Sequence, residues 1–193
     1  MPHDAELREQ PLDSQEVFSG RLVRVTVDTV TLPNGEPARR EVVHHAGAVA
    51  AVPIGVQGEV YLVRQWRHAA GRALLEIPAG TLAPDESPEN CVRRELAEEI
   101  GQVPAQIELL TSMFVAPGYD TEIIHIYLAR RLRAEQRPAD EDENVHVVTM
   151  SLADALAACR DGHICDGKSI AGLFLAWDVL RGEANWRDDR PER

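Results

Sequence analysis

Between Gly20 and Leu32 valine alternates with polar residues, at Val23, Val25 and Val27, and an extended pattern resumes from Ala38 to His45 after Pro33-Asn34-Gly35-Glu36. Period-two alternation around a Pro-Asn-Gly turn predicts a β-hairpin. Ala48–Val56 is almost wholly apolar and predicts a buried strand, followed by a Gln57-Gly58 turn and a further strand over Val60–Trp66. Leu74–Ile77 is a short apolar run that stops at Pro78-Ala79-Gly80.

The period then changes. Ser87-Pro88 offers a helix N-cap with proline at the first helical position, and Val92, Leu96 and Ile100 recur at helical spacing until Gly101. Ile107–Val115 and Glu122–Leu132 predict two strands joined by Ala116-Pro117-Gly118-Tyr119-Asp120. An acidic loop from Ala139 to Asn144 precedes a strand at Val145–Met150. Ser151 with Asp154 predicts the cap of a helix ending near Gly162, and Ser169–Leu180 a second, apolar helix. The pattern as a whole predicts an α/β fold with a mixed sheet, helices packed on it, and a small antiparallel β extension in front. The expected divisions are residues 1–46 for the extension, 47–181 for the main domain and 182–193 for a charged tail.

Composition narrows the partners. The 193 residues carry 32 acidic and 20 basic side chains, a formal net charge of −12, which argues against nucleic acid or an anionic membrane as a bulk partner. Nineteen of the 20 cations are arginine, and Lys168 is the sole lysine. Base composition of the genome accounts for most of that bias, although arginine's planar fork also suits phosphate. No apolar run approaches the ~20 residues that span a bilayer. Met1–Gln15 lacks the basic start and apolar stretch of a signal peptide, and Cys91, Cys159 and Cys165 match no zinc or redox spacing. A cytoplasmic location is expected.

The densest chemistry lies on the helix after Gly80. Glu95, Glu98 and Glu99 stand at i, i+3 and i+4, so their carboxylates share one face and destabilise the helix unless a cation offsets them. Hard carboxylate oxygens in such a cluster suit Mg²⁺, with Mn²⁺ as a substitute. Around them run Gly80, five residues, Glu86, seven residues, Arg94-Glu95-Leu96, one residue, Glu98-Glu99, one residue and Gly101. This resembles the box of the Nudix hydrolase family, G-x5-E-x7-R-E-U-x-E-E-x-G-U. The one departure is Gln102 at the final aliphatic position, which concerns packing and not the carboxylates.

Further segments are similar to the ADP-ribose pyrophosphatase branch of that family: Arg64-Gln65-Trp66-Arg67, Glu76-Ile77-Pro78-Ala79-Gly80, Pro117, and Gly118-Tyr119-Asp120-Thr121-Glu122. The resemblance implies a Nudix fold, an α/β/α sandwich behind a β extension that exchanges between subunits of a homodimer. It also implies that Glu95 and Glu99 are the principal metal ligands, with Glu98 assisting and the Ala79 main chain contributing. Arg94 and Glu86 would brace the box. Arg67, and Arg39 or Arg40 from the extension, would meet the diphosphate and ribose, within a substrate region that takes in Trp66, Glu76, Pro117 and Gly118. The assisting carboxylate would come from Asp140-Glu141-Asp142-Glu143, with alignment favouring Glu143 and a small shift selecting Glu141.

The implied reaction is metal-dependent hydrolysis of the diphosphate of ADP-ribose to AMP and ribose 5-phosphate. Another small nucleotide, such as GDP-mannose, NADH or FAD, is the nearest alternative. A regulator that binds ADP-ribose without cutting it fits less well, because such proteins have degraded boxes and this one is intact.

Overall fold

Three strands, β1 (Gln10–Ser19), β2 (Arg24–Thr31) and β3 (Pro37–His44), pair antiparallel in the order β1-β2-β3. The β2–β3 hairpin turns where expected: Gly35 has φ 88°, its N–H donates to Leu32 O, and Asn34 Oδ1 accepts from the Glu36 N–H. Strand β1 was not expected, because its ten residues are all exposed and so show no buried face in their pattern. It is held by main-chain pairing to β2, interrupted by irregularities at Pro11/Asp13 and Glu16/Phe18.

The computed structural model describes residues 4–135, 137 and 144–182. They fall into two compact units. The first holds residues up to Gly47 together with Phe114–Ile123; the second holds Ala48–Met113 and the chain from Ile124 onward. Within the first unit, the Phe114–Ile123 loop runs beside β3. Val43 N–H donates to Tyr119 O, Thr121 N–H donates to Val43 O, and the Thr121 hydroxyl accepts from His45 N–H.

The second unit contains two sheets. One has the order β7-β4-β9-β8, from β4 (Ala48–Pro53), β7 (Ala79–Thr81), β8 (Gln102–Phe114) and β9 (Ile123–Ala134). The other has the order β10-β5-β6, from β5 (Glu59–Arg67), β6 (Arg72–Glu76) and β10 (Val145–Ser151). Strand β4 runs parallel to β9 and antiparallel to β7, so the first sheet is mixed.

Every residue of β4 is buried, and its two faces feed different cores. Ala48, Ala50 and Val52 pack with Ile77, Ile126, Leu173 and Ala176, while Val49 and Ala51 pack with Cys91, Val92, Leu96 and Ile100. A strand covered on both sides reads as a continuous apolar run, which is why its alternation is invisible in the sequence. Helix α1 (Pro88–Glu99) therefore covers one face, and α2 (Leu152–Arg160) with α3 (Gly167–Gly182) covers the other, giving the expected α/β/α sandwich. Leu96 is fully buried, and its truncation to alanine would cost about 2–5 kcal/mol.

Helix α1 begins as the sequence predicts. Ser87 Oγ accepts from Asn90 N–H at 3.3 Å, Pro88 occupies the first turn, and Gly101 leaves the helix at φ 65°. Helix α2 is likewise capped by Ser151, which accepts from Asp154 N–H at 3.0 Å. Helix α3 starts two residues earlier than expected, because Asp166 accepts the Ser169 N–H at 3.1 Å and caps it. Among the described residues no helix is long and apolar enough to cross a membrane.

Candidate active site

Strand β7 is short, but it fixes the backbone on which the site is built. Ala50 pairs with Ala79 and Val49 with Gly80, and Pro78 O accepts from Ala51 N–H at 3.0 Å. On the opposing helix, Glu95 and Glu99 are 7% and 6% exposed, unusual for carboxylates one turn apart. Both face this backbone. Glu99 Oε2 accepts the Ala79 N–H at 3.1 Å, and a Cβ built on Gly80 would collide with the Glu95 carboxylate. Gly80 lies outside the positive-φ glycines, so a close approach, and no unusual φ, requires glycine there.

One cation offsets the acidic face. Arg94 grips Glu86 with two bonds, Nε to Oε1 and Nη2 to Oε2, both 2.9 Å. Its Nη1 also donates to Glu95 Oε1 at 2.6 Å and Glu98 Oε2 at 3.0 Å. The same guanidinium reaches Thr81 O at 3.4 Å, tying the helix to the end of β7. These contacts hold the Glu86 carboxyl down at about 2, through the Arg94 bonds first, and raise Arg94 above the ordinary arginine value. The fork of a single arginine thus cross-links three box carboxylates and fixes their side chains before any ligand arrives.

A hard divalent ion fits this donor set. Two buried carboxylates one helical turn apart abut a main-chain segment, and Mg²⁺ needs only one or two carboxylates because it retains several waters. No group of three acidic, histidine or cysteine side chains that could hold a metal occurs among the described residues. Glu141 and Glu143 lie outside the described residues.

A second cluster forms beside the first. Arg67 on β5 meets Glu76 on β6 in a bidentate pair, Nε to Oε1 at 2.8 Å and Nη2 to Oε2 at 2.7 Å. Glu76 is 1% exposed. Burial pushes its carboxyl up, but Arg67 and Lys168 outweigh that and hold it below the ordinary value. The Arg67 side chain is half-exposed, and Trp66 next to it is exposed. Glu76 is therefore closed to direct contact with a ligand and reaches the surface through Arg67.

The remaining expected residues lie in the first unit. Arg40 pairs with Glu9 through two bonds and also donates to Arg39 O, whereas Arg39 is exposed. Pro117 and Gly118 sit in the turn where Tyr119 and Asp120 N–H groups donate to Ala116 O. Cys91 is a packed thiol: burial raises it to about 12, so it is no nucleophile.

Sequence reasoning missed Lys168, Asp166 and Ser169. Lys168 Nζ donates to Glu76 and, at 2.8 Å, to Asp166 Oδ2; the buried Ser169 hydroxyl donates to Asp166 Oδ2 at 3.0 Å and accepts from Ile77 N–H at 2.8 Å. The signal available was Lys168 itself, the one lysine in a chain that otherwise uses arginine.

Residues 9–43 match the nucleoside diphosphate sugar hydrolase N-terminal domain, and these span β1 to β3. The chain is 38% identical over 165 residues to an ADP-ribose pyrophosphatase of Bacillus subtilis (strain 168), covering 84% of this chain and 89% of that protein. It is 39% identical over 167 residues to a methanol dehydrogenase activator of Bacillus methanolicus, covering 86% and 90%. The crystal structure of an ADP compounds hydrolase superposes with a TM-score of 0.83 at 26% identity, over 92% of this chain and 97% of that one. Residues 43–171, which contain the β7 turn, the α1 carboxylates and the Arg67 pair, match the NUDIX domain, and the chain belongs to the Nudix hydrolase family.

Proposed function

We propose that the protein is a Mg²⁺-dependent ADP-ribose pyrophosphatase that hydrolyses the diphosphate of ADP-ribose to AMP and ribose 5-phosphate. The observation that carries this reading is the buried pair Glu95 and Glu99, set against the Ala79–Gly80 backbone and cross-linked by Arg94. Similarity to the ADP-ribose pyrophosphatase of Bacillus subtilis supports the choice of substrate.

Bound by Glu95 and Glu99, with Glu98 and the Ala79 main chain assisting, a divalent ion supplies neutralisation of the diphosphate and a more acidic attacking water. The chain's own groups do the rest. Arg94 keeps the carboxylates from repelling one another out of register. Arg67 spends two of its five N–H groups on Glu76 and can present the others to a phosphate oxygen in a fixed plane. Trp66 offers an exposed face beside it for a base or sugar. Glu143 or Glu141 would orient or deprotonate the water.

The protein would act as a homodimer in the cytoplasm. Leu12, Val17, Phe18 and Leu22 are exposed apolar side chains along β1 and the turn after it, a surface that a second copy would cover. Cys91, Cys159 and Cys165 are free.

A panel of ADP-ribose, GDP-mannose, NADH and FAD with Mg²⁺, products separated by chromatography, tests the reading. ADP-ribose should be cleaved fastest, with AMP and ribose 5-phosphate appearing together. Faster turnover of another member overturns the substrate, and binding without turnover of any member favours the non-catalytic alternative. Glu141→Gln against Glu143→Gln identifies the assisting carboxylate by which one lowers kcat and leaves KM in place.

A further inference from the structure

A closed ring of contacts joins the start of α3 to the segment that leads into β7. Glu76 pairs with Lys168, Lys168 with Asp166, Asp166 with the Ser169 hydroxyl, and Ser169 with the Ile77 N–H, which adjoins Glu76 in the chain. Charge balances within it: Arg67 and Lys168 face Glu76 and Asp166. Asp166 Oδ1 is buried without a hydrogen-bond partner, so Asp166 Oδ2 alone serves Lys168 and Ser169. The helix also presses on the same segment through Gly172, where a Cβ would stand 3.0 Å from Ile77 Cδ1 and 3.2 Å from Val52 Cγ2.

Each side of this ring leads toward one part of the site. On one side Glu76 holds the Arg67 fork by two bonds. On the other, Ile77 is followed by Pro78, whose carbonyl bonds Ala51, and by Ala79, whose N–H bonds Glu99. The distance along the chain from Glu76 to Ala79 is three residues, so a displacement at Ile77 has little slack in which to dissipate.

We propose that the start of α3 is a positioning element for catalysis, with Lys168 setting the Arg67 fork through Glu76 and Ser169 setting the Ala79–Gly80 backbone through Ile77. Neither residue touches substrate. Lys168 leaves Glu76 with a second counter-ion, so Arg67 is held in plane without being its sole neutralising partner. Remove the ammonium, and the guanidinium is drawn fully to the buried carboxylate and binds a second anion less well. Remove the Ser169 hydroxyl, and the Ile77 N–H is left buried without an acceptor, which shifts the segment that carries Ala79.

This inference rests on the pyrophosphatase reading, and two measurements separate their failures. Lys168→Met and Lys168→Arg are compared with wild type in kcat and KM for whichever diphosphate of the panel the wild type cleaves. Lys168→Met should raise KM about tenfold with kcat within about threefold, the loss expected for a bond to a charged group, and Lys168→Arg should recover most of it. Ser169→Ala should lower kcat and weaken Mn²⁺ binding about tenfold by titration calorimetry without substrate, leaving KM near wild type. Melting temperatures are recorded for all. If the variants melt earlier but keep wild-type KM and Mn²⁺ affinity, the ring is purely structural and the inference falls while the functional reading stands. If the wild type cleaves no member of the panel, the functional reading falls, and the Mn²⁺ affinity of Ser169→Ala against wild type still decides the inference.

Discussion

Gly80→Ala isolates the geometry of the proposed metal site from the fold. The backbone there is not in the left-handed region, so alanine meets no conformational penalty, and β7 pairing to β4 is unaffected by a methyl group. What the methyl meets is the Glu95 side chain, at less than 3.0 Å, where ordinary contact begins at 3.4 Å. The backbone is fixed by pairing with Val49, so the carboxylate must give way, sliding along Arg94 Nη1 toward solvent. A ligand displaced by about 1 Å is enough to cost about 10²-fold in rate. The expected variant therefore folds with a melting temperature close to wild type, has kcat/KM reduced about 100-fold, and binds Mn²⁺ more weakly by calorimetry. A double-mutant cycle makes the reasoning refutable. In a Glu95→Ala background there is no carboxylate to strike, so adding Gly80→Ala should change activity by less than about twofold. A second 100-fold loss in that background would mean that the methyl acts by another route, and a Gly80→Ala enzyme with wild-type Mn²⁺ affinity would refute the geometry outright.

The Glu86 carboxyl sits at about 2 in the folded protein against an ordinary 4.5, so its ionisation favours the folded state. That contribution is complete above pH 4.5 and is lost as pH falls toward 2; the urea midpoints of wild type and Glu86→Gln should therefore converge over that window, and a pH-independent gap refutes the assignment. Mg²⁺ at one hundred times its Kd should stabilise the wild type by about 2.7 kcal/mol, read as a rise in melting temperature, while Glu99→Gln should lose both that rise and turnover. Iodoacetamide at pH 8 should label the exposed Cys165 and spare Cys91, whose thiol is buried and raised to about 12; mass spectrometry of the native protein checks this, and rapid labelling of Cys91 would contradict its burial.

What was legible in the sequence depended on whether a residue's job is local. The caps at Ser87 and Ser151, the turn at Asn34-Gly35 and the stop at Gly101 all act within four residues of themselves, and each formed where expected. The carboxylates of α1 share a face by helical geometry alone, so their cluster was visible too. Strand β1 was hidden for the opposite reason: it buries no side chain, and its partner is chosen by main-chain pairing that leaves no mark in polarity. The Lys168–Glu76 pair was hidden because its members are 92 positions apart, and only the packing of α3 on β4 and β9 brings them together. Arg67 was expected from its motif, yet its pairing with Glu76 was hidden, because the β5–β6 register sets Arg67 opposite Arg72 and Val63 opposite Glu76, and the long arginine side chain spans the offset.

The charge of the chain takes on a structural meaning at α1. Glu86, Glu95, Glu98 and Glu99 contribute four negative charges to this cluster, and Arg94 contributes one positive charge within it. Such an arrangement repels a diphosphate unless cations arrive with it. Replacing some of these acids with neutral residues would relieve the helix and remove the reason for a divalent ion to bind. The strain of like charges is thus retained where it selects the ligand, and Arg94 limits it to what the helix can bear. Arg67 gives its hydrogen bonds to Glu76, and Glu99 of the box acts on it only through charge. On the proposed reading, separate hydrogen-bonding partners for the two clusters would let one site attract metal and phosphate at once, with Lys168 as the second counter-ion of Glu76.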